Sequence, residues 1–187
     1  MNKHFDSYKR KITPLVENII KKPRTKYVYE ATMFSYNSPE YVRNLEIAYY
    51  IRQNQMLEGK IAQVLIGNWF DWIDLKSGHF TGLDCYKKDN SAIIELKNKY
   101  NTCNSSSQKV LLDNLSKYKR NNPKTECIWG IVNPKPNERE FTRIIVYDGV
   151  EIKKLQGKDL FSYVFKFNGY DYSPHVIEHV KSLLLPK

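Results

Sequence analysis

An apolar run in the middle of the chain is interrupted by two opposite charges. The segment SAIIELKNKY, residues 91–100, alternates with period two, which is typical of a β-strand. Residues two apart in a strand point the same way, so Glu95 and Lys97 share one face while Ile94 and Leu96 share the other. Burying an acid and a lysine in so apolar a strand is expensive without a purpose. The segment therefore predicts a buried strand with a polar site on one face.

A second strand is predicted just before this one. Residues 80–86, FTGLDCY, also alternate, and the polar break KKDN separates them from the apolar run. Asp89 and Asn90 in that break are turn-forming residues, so the two segments predict an antiparallel hairpin. Such pairing can bring the carboxylate of Asp84 beside that of Glu95.

The segments after the hairpin predict an α/β fold. Serines at residues 105–107 can cap a helix that Asn121-Asn122-Pro123 ends. ECIWGIVN, residues 126–133, is typical of a buried strand, and the order strand, helix, strand predicts parallel pairing through a right-handed crossover. RIIVYDGVEI, residues 143–152, predicts a hairpin, and two helical pieces follow, the last after Pro174. We therefore expect a central mixed β-sheet flanked by helices.

Two core helices are expected before the hairpin. The triplet SPE at residues 38–40 is a helix start signal, and apolar residues then recur at helical spacing up to residue 56. Residues 59–69 predict a second helix, with Gly67 as its stop. Trp69 and Trp72 are assigned to the core because large aromatic side chains are usually buried.

The length predicts one domain. A chain of 187 residues is the size of one ordinary domain, and it contains no internal repeat, low-complexity tract or linker rich in Pro and Gly. We expect a single domain over residues 1–187. Its parts are a helical segment at about 1–75, a sheet core at about 76–150, and a hairpin with helices at about 150–187.

The charge of the chain favours a polyanionic partner. The formal net charge is +10 and the pI is near 9.4, and a basic surface attracts nucleic acid. The alternative is a basic protein that merely stays in solution. The apolar stretches are far shorter than the about 20 residues that span a bilayer, so neither a membrane partner nor a secretory signal is expected. Three cysteines without C-x-x-C spacing argue against zinc and disulfides and favour a cytoplasmic location.

The predicted hairpin carries the residue types that phosphodiester hydrolysis requires. Mg²⁺ prefers hard oxygen ligands, which the carboxylates of Asp84 and Glu95 and the backbone carbonyl of Leu96 supply. A lysine such as Lys97 can orient the attacking water and neutralise charge that develops on the phosphate. The alternative for the acid and lysine is an ion pair at an exposed sheet edge, which would contribute little.

These residues carry a family resemblance. Asp84 in GLD, followed eleven positions later by Glu95 and Lys97 in ELK, resembles the PD-(D/E)-x-K nuclease motif, with Leu83 in place of the proline. The string ELKNKYNTCNSSS, residues 95–107, is similar to a group of type II restriction endonucleases that cut GGNCC-type palindromes. The superfamily match covers about a third of the chain, from the hairpin to the next strand.

The resemblance implies a restriction-endonuclease-like fold and a function. It implies Mg²⁺-dependent hydrolysis of double-stranded DNA at a short palindrome to leave 5′-phosphate ends, and a paired DNA methyltransferase. A homodimer is expected because a twofold-symmetric site is matched most simply by a symmetric dimer. Related nucleases often recruit a glutamate from a helix before the motif, which makes Glu58 a candidate additional metal ligand.

Polar residues after the second strand are candidate DNA contacts. Their amides, hydroxyls and ammonium can read base edges or hold phosphates, and a helix N-terminus favours phosphate oxygens. The alternative is ordinary helix capping. The candidates are Lys99, Asn101, Asn104, Ser105, Ser106 and Ser107.

Two other functions are compatible with the same pattern. The first is a structure-specific nuclease of this fold, such as a Holliday-junction resolvase or a repair nuclease, which recognises DNA shape. The second is a basic DNA-binding module that does not catalyse cleavage. Magnesium-dependent cutting of plasmid DNA into discrete bands distinguishes restriction from both.

Overall fold

A computed structural model describes residues 3–23, 25–29, 38–76, 78–100, 104–138 and 140–184. The α-helices in these ranges are α1 (Lys3–Ile20), α2 (Pro39–Gly67), α3 (Ser105–Asn121), α4 (Gly157–Val164) and α5 (Ser173–Leu184). None of the described helices is both long enough and apolar enough to cross a membrane.

The strands form a mixed sheet of six strands and a small separate hairpin. The sheet contains β1 (Trp72–Asp74), β2 (Cys85–Lys87), β3 (Ala92–Lys99), β4 (Glu126–Asn133), β5 (Thr142–Tyr147) and β6 (Val150–Gln156), in the spatial order β1-β2-β3-β4-β6-β5. The β3–β4 and β4–β6 pairs are parallel, and the other neighbours are antiparallel. The separate hairpin pairs β7 (Lys166–Phe167) with β8 (Tyr170–Asp171). The predicted α/β class with a mixed sheet is confirmed.

The predicted hairpin is formed by β2 and β3. Cys85 pairs with Ile94, and the turn places Asn90 at φ 60°, a left-handed conformation that asparagine tolerates. The first strand is shorter than the predicted 80–86, because Gly82 at φ 66° turns the chain and its N–H bonds to the carbonyl of His79 at 2.9 Å. The first strand therefore starts after Asp84 rather than at Phe80.

The two predicted helices before the hairpin are one continuous helix, α2. It begins after Ser38, whose hydroxyl accepts a hydrogen bond from the N–H of Tyr41 at 3.0 Å, and it ends at Gly67 as predicted. The helix passes through Gly59 without a break, since a single glycine costs only about 1 kcal/mol in a helix interior. The expectation that both pieces are core helices is wrong for the first one: the buried residues of α2 all lie within 61–67.

Apolar side chains pack on both faces of the sheet. On one face, α1, α2, α4 and α5 bury an aromatic core around Trp69 and Trp72, as predicted for both residues. On the other face, α3 packs against a second core that includes Ile93 and Trp129. Strand β3 serves both cores, because Ala92, Ile94 and Leu96 face the first one and Ile93 faces the second. Glu95 and Lys97 therefore project on the α3 side.

The end of α2 meets β1 at a very short distance. A Cβ atom at Gly67 would lie 2.3 Å from the Cβ and 2.8 Å from the Cα of Asp74. A Cβ at Gly59, in the same helix, would lie 3.3 Å from the Cβ of Asn98. The helix can therefore approach the sheet at Gly67 only because that residue has no side chain.

We expect Gly67→Ala to destabilise the protein by about 1–3 kcal/mol, the usual effect of overpacking. Gly59→Ala is the matched control, because it also replaces a glycine of α2 and meets a contact that a small shift relieves. Urea unfolding followed by tryptophan fluorescence measures both free energies of unfolding. Equal values for the two variants would contradict the close approach of α2 and β1.

Candidate active site

Asp84 lies immediately before β2, and its backbone is held from both sides. Its N–H donates to the carbonyl of Ile94 in β3 at 3.0 Å, and its carbonyl accepts from the N–H of Leu75 at 2.8 Å, just after β1. The next residue, Cys85, starts β2 and is buried in the first core. The position of Asp84 is therefore set by hydrogen bonds to both neighbouring strands.

The side chain of Asp84 bonds to the backbone of β3. Its Oδ2 accepts a hydrogen bond from the N–H of Leu96 at 2.7 Å. Because the N–H and C=O of one strand residue point to the same side, the carbonyl of Leu96 also faces the β2 side of β3. The predicted carbonyl ligand thus lies on the same side of β3 as the Asp84 carboxylate.

Glu95 and Lys97 form a close pair beside Asp84. The Nζ of Lys97 lies 2.6 Å from Oε1 of Glu95, and the carboxyl groups of Asp84 and Glu95 are close enough for each to influence the pKa of the other. Only 11% of the Glu95 side chain and 28% of the Lys97 side chain are exposed. This burial argues against a loose ion pair at an exposed sheet edge. The structure therefore brings the three predicted side chains together.

The two carboxyl groups share a site where full ionisation is unfavourable. Burial and the neighbouring charge of Asp84 raise the pKa of Glu95 from its ordinary value of 4.5 to about 7, although Lys97 lowers it. Burial also raises the pKa of Asp84, against the lowering effects of the Leu96 N–H and the Lys97 ammonium. A pair of this kind is stabilised by a proton or by a cation between the carboxylates.

The donor atoms fit a hard divalent cation. Two carboxylates and the carbonyl of Leu96 are oxygen ligands, and Mg²⁺ commonly takes one or two protein carboxylates and keeps several waters. Asp84 and Glu95 supply only two carboxylates, and within the described part of the chain no third His, Cys, Asp or Glu side chain completes a metal-binding group with them. The donor set therefore suits a cation that completes its coordination with water and substrate.

Glu58 is not brought to this pair. Its Oε2 accepts from the side-chain amides of Asn133 at 3.3 Å and Asn98 at 3.5 Å, near the carboxyl ends of β4 and β3. By strand alternation Asn98 points away from the face that carries Glu95. The arrangement gives no support to Glu58 as a metal ligand.

The polar residues after β3 are arranged around the start of α3. The cap is Asn104 and not one of the predicted serines: its Oδ1 accepts from the N–H of Ser107 at 2.8 Å and from the hydroxyl of Ser106 at 2.9 Å. Ser105, Ser106 and Ser107 are exposed. Lys99 follows Glu95 and Lys97 on the same face of β3. Asn101 lies outside the described residues.

Trp129 and Lys154 extend this face, although no motif of the sequence pointed to them. Trp129 is the β4 partner of Glu95, and Lys154 is the β6 partner of Trp129. The ammonium of Lys154 lies 4.6 Å from the centroid of the indole ring. Alternation within each strand indicates the face of these residues, but the register between strands distant in sequence is needed to place Trp129 beside Glu95 and Lys154 beside Trp129.

Two substitutions should shift the pKa of Glu95 in opposite directions in protein without divalent metal. Asp84→Asn removes a negative neighbour and should lower the pKa below about 7, whereas Lys97→Met removes the stabilising ammonium and should raise it further. Carboxyl ¹³C NMR of labelled glutamate in EDTA follows the titration.

The same shift has a consequence for stability. Because the folded state holds the Glu95 proton up to about pH 7 and the unfolded chain releases it near 4.5, stability should fall as the pH rises between these values. Glu95→Gln should remove this contribution.

In the NMR titrations, shifts of the Glu95 pKa with the same sign in Asp84→Asn and Lys97→Met would contradict the arrangement of the three side chains.

Comparison with known proteins identifies the family. No curated protein matches the chain significantly. The model of the Eco47II restriction endonuclease family matches residues 1–164, which include Asp84, Glu95 and Lys97 and every strand of the six-stranded sheet. The match covers 164 of the 187 residues. The chain therefore belongs to the Eco47II restriction endonuclease family, and it is a type II restriction endonuclease that acts on DNA.

Proposed function

We propose that the enzyme hydrolyses double-stranded DNA with Mg²⁺ as cofactor, and that Asp84, Glu95 and Lys97 are its catalytic residues. The observation that carries the proposal is the convergence of the buried Glu95 carboxyl group, the half-buried Asp84 carboxyl group and the Lys97 ammonium group beside the backbone of β3. The family match supports DNA as the substrate. The products proposed are 5′-phosphate ends.

The carboxylates of Asp84 and Glu95 and the carbonyl of Leu96 would hold the metal ion. When bound, Mg²⁺ polarises the phosphate and lowers the pKa of a coordinated water. The N–H of Leu96 keeps Oδ2 of Asp84 against β3, so this ligand is positioned before the metal arrives. Glu58 is left out of the proposed ligand set, because Asn98 and Asn133 hold its carboxylate elsewhere.

Lys97 is the proposed partner of the attacking water and of the scissile phosphate. Its ammonium lies 2.6 Å from Glu95 and is partly exposed, so it contacts the buried acid and remains accessible to a substrate. An ammonium at this position favours the hydroxide form of a nearby water and neutralises charge that grows on the phosphate in the transition state. The proton carried by Glu95 below about pH 7 must leave before this acid can bind a cation.

The residues around the start of α3 are proposed to contact DNA. Lys99 continues the face of Lys97, and the exposed serines 105, 106 and 107 surround the N-terminus of α3, where backbone N–H groups favour phosphate oxygens. Asn104 supports this end of the helix as its cap. Asn101 keeps its proposed role from the sequence. Lys154, on the same face, adds positive charge two strands away from Glu95.

The cut site is proposed to be a short palindrome of the GGNCC type. The support is the likeness of residues 95–107 to restriction enzymes that cut such sites. A palindrome presents the same sequence on both strands, so a homodimer with one site per subunit is proposed. A DNA methyltransferase that modifies the same palindrome is the proposed functional partner in the cell.

Substitutions at the candidate site should abolish cleavage and leave DNA binding largely intact. Glu95→Gln removes a metal ligand and Lys97→Met removes the ammonium, and each should lower the initial rate of plasmid cleavage by about 100-fold or more, the scale of removing one preorganised electrostatic group. Agarose gels measure the rate, and fluorescence anisotropy measures DNA binding.

The matched controls are Glu178→Gln and Lys181→Met. These residues form an acid–lysine pair on α5 at 2.8 Å, but 71% and 64% of their side chains are exposed. Both controls should cut DNA like the wild type. Wild-type cleavage by Asp84→Asn or Glu95→Gln would show that the site assignment is wrong.

Removal of divalent metal should stop cleavage, and Mg²⁺ should restore it. In EDTA the protein should still bind DNA, because a net charge of +10 attracts the duplex without metal, and added salt should weaken that binding. An unmethylated plasmid is the substrate. Discrete bands with mapped GGNCC ends would support the proposed specificity, whereas cutting restricted to branched junctions would favour a structure-specific nuclease. Metal-independent cleavage would contradict the proposed cofactor.

A further inference from the structure

Phe80 is a large apolar side chain held in solvent close to the candidate site. It is 92% exposed, the highest value among the exposed large hydrophobic residues of the described ranges. The ring lies against the His79 ring at a tilt of 38°, with 4.4 Å between the ring centroids, and remains almost fully exposed. A single exposed apolar residue is common on protein surfaces. Phe80 differs because it lies in a hydrogen-bonded turn only four positions before Asp84.

Hydrogen bonds hold Phe80 in this exposed position. The N–H of Gly82 donates to the carbonyl of His79 at 2.9 Å, which closes a turn around Phe80 and Thr81. The hydroxyl of Thr81 lies 2.8 Å from Nδ1 of His79 and accepts from the N–H of Leu83 at 3.3 Å. Gly82 adopts φ 66°, which favours glycine. These hydrogen bonds fix the backbone of the turn from which the Phe80 ring projects.

The turn stands on the side of the sheet that carries the candidate site. Leu83 is buried in the core under α3, and a Cβ at Gly82 would lie 2.6 Å from the Nδ2 of Asn114 in α3. Phe80 and Asp84 are four positions apart in the chain, so their Cα atoms are at most about 14 Å apart. With one phosphate per about 3.4 Å along each strand, this reach covers about four base pairs.

We propose that Phe80 contacts the DNA duplex and packs its ring against base edges or sugars in the groove beside the scissile phosphate. The inference rests on the proposed role of Asp84 in cleavage. A duplex bound at Asp84 passes within reach of the turn, and the basic charge of the protein holds it there. Charged side chains contact phosphates, whereas a phenyl ring fits the apolar parts of bases, such as the thymine methyl group, and can wedge between base steps.

Val146 provides a matched control position. It is 71% exposed on β5, and it lies on the opposite face from Ile145, which packs against the α3-side core. Val146 is thus an exposed apolar residue on the sheet face that is turned away from Glu95. A contact specific to the DNA side should involve Phe80 and leave Val146 unchanged.

The test places a new tryptophan at each position. The three native tryptophans, Trp69, Trp72 and Trp129, are buried, so Phe80→Trp adds an indole that acrylamide can quench. The probe is sonicated unmethylated plasmid DNA in EDTA, with binding followed separately by anisotropy. DNA should lower the acrylamide quenching constant of the Phe80→Trp indole at least threefold. The Val146→Trp indole should stay equally accessible.

A second measurement tests the contribution to the reaction. Phe80→Ala should lower the rate of plasmid cleavage at limiting DNA about tenfold or more, while its thermal unfolding midpoint should match the wild type because the ring is exposed. Phe80→Tyr should retain most of the rate, and Val146→Ala all of it.

Several outcomes would overturn the proposal. An indole at position 80 that stays equally accessible with DNA bound would do so, as would failure of the protein to bind DNA. Shielding that rises with protein concentration in the absence of DNA would assign Phe80 to a contact with a second copy of the chain. Failure of the proposed function is separable: a wild-type protein that does not cut in Mg²⁺, with the new indole still shielded by DNA, would refute the catalytic assignment and leave the contact standing.

Discussion

The hydrogen bond between the N–H of Leu96 and the carboxylate of Asp84 is the contact on which the candidate site depends. It joins the two strands where their regular pairing stops, and it holds one acid against the next, Glu95. Two adjacent carboxyl groups in a largely buried position would repel each other and lose hydration. The backbone donor and the Lys97 ammonium offset part of that cost. Burial and the charge of Asp84 outweigh them, so the pKa of Glu95 is still raised.

Because side chains alternate along β3, its core-packing residues and its candidate catalytic residues lie on opposite faces. Ala92, Ile94 and Leu96 pack against the helices on one face, so the apolar half of the strand anchors it in the core. Glu95 and Lys97 lie on the other face, and Lys97 is partly exposed near the end of a strand whose apolar residues are packed in the core. Groups placed in this way need little rearrangement when substrate binds, which is the basis of electrostatic preorganisation.

Most expectations that rest on local signals agree with the structure, whereas the helix boundary at Gly59 and the cap of α3 do not. The turn at Asn90 and the start of α2 after Ser38 involve hydrogen bonds between residues at most a few positions apart, and such signals are visible in sequence. The break expected at Gly59 is absent, because the flanking helical hydrogen bonds tolerate one glycine. The sequence does not distinguish the cap at Asn104 from the neighbouring serines, because asparagine and serine are equally good capping residues.

Period-two alternation and a tight hairpin are properties of short segments, so the amino-acid sequence alone predicts which residues share a face of β3 and that two acids and a lysine can meet beside a turn. It also determined the basic charge. Only the packing of distant segments places Trp129 beside Glu95 and Lys154 one strand further out, holds Glu58 at Asn98 and Asn133, and leaves Phe80 in solvent. These placements depend on which strands pair and which apolar faces pack together, and distant segments settle both only when the chain folds as a whole.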